Sequence, residues 1–187
     1  MASSRRSEPL YRTIVADPPW HYSGTWGIGR GRNKGKRLAF PYPTLTVEEI
    51  AALPVGELAE PDAHLYLWTT QRYLREAFGV AETWGFRWSV TLVWAKPPLG
   101  IGPGGTFMPN AEFVLFCRRG SLKAKQRLNT CWWSWPRTHE HSRKPDAFLD
   151  LVEATSPGPY LELFARRNRF GWDTWGNEAL EHVEVVA

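Results

Sequence analysis

Cysteine is scarce in this chain: among 187 residues only Cys117 and Cys131 occur. Two thiols cannot build a disulfide framework, which excludes the small stapled scaffolds of secreted proteins. Their spacing to His139 and His141 matches no common zinc site, so no metal is expected. Apolar runs long enough to cross a membrane are also lacking, and the opening residues Ser3-Ser4-Arg5-Arg6-Ser7-Glu8 are polar rather than a secretory signal. The expectation is a soluble, cytoplasmic protein that makes no membrane contact. There is no internal repeat, and no charge of one sign dominates: the formal net charge is +4 with a pI of about 9.2. With 43% hydrophobic and 22% charged residues the chain can bury a core, which excludes wholesale disorder.

What is present is more informative. Eleven tryptophans are many for this length. Most are expected in the core, with some rings left as flat platforms for bases. The basic residues cluster in segments that read as loops. The first is Arg30, Arg32, Lys34, Lys36 and Arg37, interleaved with glycines; further groups lie at 118–127, 137–144 and 166–169. Four such segments predict a surface that tracks phosphates.

Residues 1–9 read as a tail and 10–187 as a single domain. Thr13-Ile14-Val15-Ala16 is a β-branched apolar run stopped by two prolines, a strand ending in a sharp turn. Residues 21–43 show neither helical nor strand period, and a loop of that length is usually functional or mobile. Thr46-x-x-Glu49 is a capping box that starts a short helix. His64–Trp68 is strand-like, 71–83 carries a helical apolar face, and Trp88–Trp94 reads as a buried strand. Glu112–Cys117 and Tyr160–Ala165 are further strands, Pro145 suits the first turn of a helix, and Thr174-Trp175-Gly176 opens a short last segment. Strands alternating with helices predict an open, mostly parallel α/β sheet with helices on both faces. Such sheets bind ligands beyond the C-terminal ends of their strands, which would gather Asp17-Pro18-Pro19-Trp20, Trp68-Thr69-Thr70, Lys96 and Arg166-Arg167-Asn168 on one rim.

Asp17-Pro18-Pro19-Trp20 suits one particular reaction. An exocyclic aromatic amine is a poor nucleophile because its lone pair is delocalised into the ring. Two acceptors on its two N–H bonds favour the pyramidal transition state over the planar ground state. The Asp17 carboxylate can be one acceptor and the Pro18 carbonyl the other, both held by proline rigidity. Trp20 is expected to offer a π face to a base taken out of its stack.

This turn and the later blocks together resemble the MT-A-70 family of adenosine methyltransferases. The blocks are Pro41-Tyr42-Pro43-Thr44-Leu45, Leu65 through Thr70, Val93-Trp94-Ala95-Lys96 and Asn110-Ala111-Glu112. They continue with Ser142 through Asp146, Leu161 through Arg166 and Gly176-Asn177-Glu178. The resemblance implies a Rossmann-like fold with the catalytic block before the cofactor block, and transfer of methyl from S-adenosylmethionine (SAM) to the adenine 6-amino group. It implies that Lys144, Glu162, Phe164, Arg166, Asn168, Asn177 and Glu178 line the SAM site, and that Tyr42, Trp68, Lys96 and Glu112 surround the target base. The family often places an acidic cofactor contact upstream of the Asp-Pro-Pro-Trp strand; no clear equivalent is seen here. Larger members add RNA-binding modules and a silent partner subunit; no such module is read in this chain, and a homodimer or partner subunit stays open. The glycine-rich segment 100–105 lacks a phosphate-loop lysine and reads as a lid or connector. DNA is the favoured substrate over RNA. Cytosine 4-amino methylation, which needs the same acceptors, and a silent nucleic-acid-binding partner are the other readings.

Overall fold

A computed structural model describes residues 10–22, 43–96, 106–107, 109–136 and 143–176. The first strand, β1 (Tyr11–Ala16), is the β-branched run before the double proline. A capping box then starts α1 (Val47–Ala51): the Thr46 hydroxyl accepts from the Glu49 amide, and the Glu49 carboxylate accepts from the Thr46 amide. After the short α2 (Val55–Leu58) come β2 (Ala59–Thr69), α3 (Leu74–Thr83), β3 (Arg87–Ala95) and β4 (Ala111–Arg119). The two-residue β5 (Trp132–Trp133), α4 (Asp146–Thr155), β6 (Tyr160–Leu163) and β7 (Trp172–Trp175) complete the order. Pro145 sits one residue before the place expected of it, as the cap of α4 rather than inside its first turn.

The strands form one seven-stranded sheet in the order β5-β3-β4-β2-β1-β6-β7. All run parallel except β4, which is antiparallel to both β2 and β3. Because β4 runs backwards, its first residues lie at the same rim as the last residues of the other strands: Glu112 pairs with Trp94 near the end of β3.

The period-two alternation of the strands feeds two cores, one on each face. Ile14, Leu65, Leu67, Leu115, Leu161 and Leu163 point to the face covered by α1, α2 and α3, where Ile50, Val55 and Val80 meet them. Val15, Tyr66, Trp68, Leu92 and Val114 point to the other face, packed on Phe148, Leu149 and Val152 of α4. Each such side chain contributes roughly 1.5–3 kcal/mol on burial. The expected helices on both faces and the mostly parallel sheet are present. The expected burial of 88–94 holds only for its second half. Trp88 is 51% exposed and Val90 37%, because β5 reaches β3 only at Val93 and Trp94.

Candidate active site

The chain leaves β1 through a braced turn. The Trp20 amide donates to the Pro18 carbonyl at 2.9 Å, two residues back. The Leu45 amide donates to the Pro19 carbonyl at 2.9 Å, and the His21 amide to the Leu45 carbonyl at 3.0 Å. The prolines and these bonds fix the position of Asp17 at the sheet rim. The Pro18 carbonyl keeps one lone pair, since Trp20 already occupies the other. Trp20 itself is turned inward. It is 5% exposed, stacks on Tyr73 with ring centroids 5.2 Å apart, and donates its indole N–H to the Trp68 carbonyl at 3.1 Å. This corrects the expectation of an open stacking platform: the ring fills the space under the turn, so its role is to hold the motif.

Around Asp17 the rim assembles an alternation of charges. The Lys144 ammonium donates to the Asp17 carboxylate at 2.6 Å and lies 3.5 Å from the Glu112 carboxylate. Glu112 also accepts from Lys96. Each lysine lies over an indole, Lys144 over Trp68 at 5.2 Å and Lys96 over Trp94 at 4.6 Å. Burial pushes the Asp17 carboxyl above its ordinary value and nearby Glu112 adds to this, while Lys144 and Arg166 oppose it. Burial would raise Glu112 too, but Lys144 and Lys96 outweigh it and hold that carboxyl low. Burial would lower Lys144, yet Asp17 and Glu112 more than reverse this and keep it a firm cation. Lys144 is therefore the shared counterion of two carboxylates.

Beside this cluster, on the α4 face, lies a cavity of about 300 Å³. That is near the lower end, roughly 300–1,000 Å³, of small-molecule sites. Asp17 and Lys144 form one part of its wall, Glu162, Phe164 and Arg166 another, and Trp68 and Phe148 its apolar side. Glu162 reaches it because strand alternation sends Leu161 and Leu163 to the opposite core. One carboxylate oxygen of Glu162 is buried without a hydrogen-bond partner among the described residues. Burial and the charge of Asp17 push this carboxyl up to about 7, partly offset by Arg167 and Arg169. Phe164 leaves β6 with φ 63, a backbone region disfavoured for a bulky side chain, and its ring lines the cavity edge-on to Trp175. Strain of this kind concentrates at binding sites.

Of the residues expected at the cofactor, Lys144, Glu162, Phe164 and Arg166 line this one cavity. Asn168 does not; it is exposed, and its side chain accepts from Thr174 at 3.4 Å. Asn177 and Glu178 lie outside the described residues, as does Tyr42 among those expected at the base. Trp68 lines the cavity but is 2% exposed, wedged edge-on against Trp94 and Phe148, so it walls the site more than it offers a face. Arg167, expected at this rim, and Arg143, not among the residues expected at the cofactor, also line the cavity. Among the described residues no group of three or more His, Cys, Asp or Glu could hold a metal ion.

An open, mostly parallel α/β sheet with a polar cavity at the ends of its strands is a Rossmann-like architecture. The MT-A70 family profile matches residues 11–178, so the chain belongs to the MT-A70 family of methyltransferases. It is 32% identical over 182 residues to the Type II methyltransferase M.MunI of a Mycoplasma species, covering 90% of this chain and 77% of the relative. It is 30% identical over 199 residues to the human N(6)-adenine-specific methyltransferase METTL4, covering 94% of this chain and 39% of that protein. It is 28% identical over 186 residues to the N6-methyladenosine RNA methyltransferase MTA1 of Cryphonectria parasitica, covering 92% of this chain and 53% of the relative.

Proposed function

We propose that the protein transfers the methyl group of SAM to the exocyclic 6-amino group of adenine in DNA. The observation that carries this reading is the meeting, at one rim, of Asp17 in its braced turn with a cavity walled by Lys144, Glu162, Phe164 and Arg166. The cavity suits SAM: the unpartnered Glu162 oxygen is an acceptor for sugar hydroxyls, and the surrounding arginines suit a carboxylate. Bound SAM would supply the electrophilic methyl group.

The chain's own contribution is to the amine. Lys144 holds one oxygen of Asp17, which leaves the other to accept an N–H of the target base. The free lone pair of the Pro18 carbonyl takes the second N–H. With both hydrogens drawn toward acceptors, the nitrogen lone pair is returned to nitrogen and can attack as the bond to sulfur breaks. The proton lost from nitrogen leaves by way of the acceptors to solvent. Lys96 and Glu112, neutralising one another beside Asp17, form the wall against which the base would lie.

DNA is favoured because the bacterial relative, named a Type II methyltransferase, shares the larger part of its own length with this chain. RNA is the second reading, since the fungal relative is named an RNA methyltransferase. Incubation with labelled SAM and either DNA or RNA oligonucleotides, followed by mass spectrometry of the digested nucleosides, decides between them. N6-methyladenine in DNA is the expected product. Label found only in RNA overturns the DNA assignment, and label on cytosine overturns the adenine one.

A further inference from the structure

The β5 edge of the sheet lies outside everything described for the active site. It has an unusual composition. Between Glu112 and Glu140 the chain carries no acidic residue, while Arg118, Arg119, Lys123, Lys125, Arg127 and Arg137 all fall there. Within the same stretch stand Trp132, Trp133 and Trp135. Trp132 is 60% exposed, a large apolar surface left in water. Trp133 points to the opposite face of the sheet, as strand alternation requires, and stacks on Trp135 with centroids 5.4 Å apart and planes 9° from parallel.

This edge is physically joined to the active site. Trp133 and Trp135 pack at the margin of the α4-side core, which also contains Trp68 and Trp94. The Trp94 indole donates to the Trp135 carbonyl at 3.0 Å, and the Lys96 ammonium lies over the Trp94 ring. Because β5 runs parallel to β3, the chain beyond Trp133 heads for the same rim as Lys96. An exposed indole and a stacked indole pair beside the rim that carries Lys96 and Glu112 are the kind of flat surface on which unstacked nucleobases stack.

We propose that the β5 edge is a nucleic-acid subsite in which Trp132 and the Trp133–Trp135 pair stack on unpaired bases flanking the target base. The inference rests on the reading of the protein as a nucleic-acid methyltransferase and extends it. It assigns a platform for flanking bases, separate from the target-base platform that Trp20, being buried, does not provide.

The test is a cycle between protein and ligand. Binding of a fluorescent single-stranded oligonucleotide is measured for wild type, W132A and W132Y, each with an intact strand and with strands bearing one abasic position beside the target adenine. Stacking is typically worth about 1–3 kcal/mol per base, so W132A should bind about 5- to 150-fold more weakly. W132Y should recover most of that loss. The abasic strand should bind wild type more weakly than the intact strand does, whereas W132A should no longer distinguish the two. SAM affinity and melting temperature matching wild type establish that W132A is folded. If W132A binds all strands as wild type does, the subsite is wrong even where adenine is still methylated. If binding shows the Trp132 and abasic dependence but no strand is ever methylated, the proposed function fails and the subsite stands. If W132A instead dissociates an oligomer seen by sedimentation and leaves nucleic-acid binding untouched, a second copy of the chain covers this edge and the proposal is overturned.

Discussion

Asp17 and Glu112 share Lys144, and that sharing sets what single substitutions should do. Asp17→Asn keeps the shape but replaces the anionic acceptor; by the scale of a missing transition-state hydrogen bond, kcat should fall by about 10²–10³. SAM affinity, measured by calorimetry, should change far less; near-normal turnover would remove Asp17 from the mechanism. Lys144→Met leaves two carboxylates facing each other without their cation, so both carboxyl groups move upward. Since the acceptor must be ionised, the acid limb of the activity profile should shift to higher pH, and an unmoved limb would show that Lys144 does not govern Asp17. Glu162 and His64 make a second residue-level case with opposite signs. Glu162, raised from 4.5 to about 7, holds a proton in the folded state that the unfolded chain has released, so its contribution to stability is present at low pH and lost as pH rises through 7. His64 is buried between Ser156 and the Leu122 carbonyl, and burial lowers it from 6.5 to about 4. The unfolded chain then gains a proton the folded one refuses, and stability is lost as pH falls below 6.5. Melting temperatures at pH 7, 6 and 5 should therefore drop faster than wild type for E162Q and more slowly for H64Q; identical slopes would refute both assignments.

At the scale of elements, the features legible in the sequence are those encoded within a few residues. The β-branched run closed by two prolines marks β1 and its turn, and Thr46 with Glu49 marks the capped start of α1. Direction and partnership are not so encoded. Alternation tells which face a side chain takes and not which way its strand runs, so the reversal of β4 that brings Glu112 to the rim is invisible in it. Lys144 lies 127 positions from Asp17 in sequence, and nothing local marks it as that carboxylate's partner. α2 and β5 are too short to show a period. Trp20 is misjudged from sequence because an aromatic beside a catalytic turn has the same one-letter signature whether it faces in or out. An element-scale test concerns the ends of β6 and β7, where the Ala165 amide donates to the Trp175 carbonyl at 3.0 Å. A Cβ added at Gly176 would press on the backbone of Ala165 itself, which is not a flexible side-chain end that can step aside. Gly176→Ala should therefore spread the two strands beneath Phe164 and Arg166. The expected result is a lower melting temperature together with weaker SAM binding by calorimetry, while wild-type values for both would show that this junction does not shape the cavity.

For the molecule as a whole, the distribution of charge matters more than its modest net value of +4. Acidic partners already engage several cations: Arg169 is held by Asp150 and Glu153, Arg167 by Asp146, and Lys96 and Lys144 by the site carboxylates. Those cations contribute to the fold and the site and have little left for a polyanion. The basic residues without acidic neighbours in sequence are concentrated in two places, the segment 118–127 and the run Arg30 to Arg37 directly after the catalytic turn, the latter outside the described residues. If the second run meets phosphates beside the target base, neutralising Arg30, Arg32, Lys34, Lys36 and Arg37 together should weaken binding to every sequence alike, because phosphates carry no sequence information. The slope of log affinity against log salt should flatten by up to about 0.9 for each duplex phosphate that the loop no longer neutralises, or about 0.7 on a single strand. SAM affinity should stay where it was, since its cavity is walled by other cations. Affinities measured across a salt series, wild type against the neutralised chain, give the answer: coincident lines would mean that this loop is solvated and that the polyanion is held elsewhere.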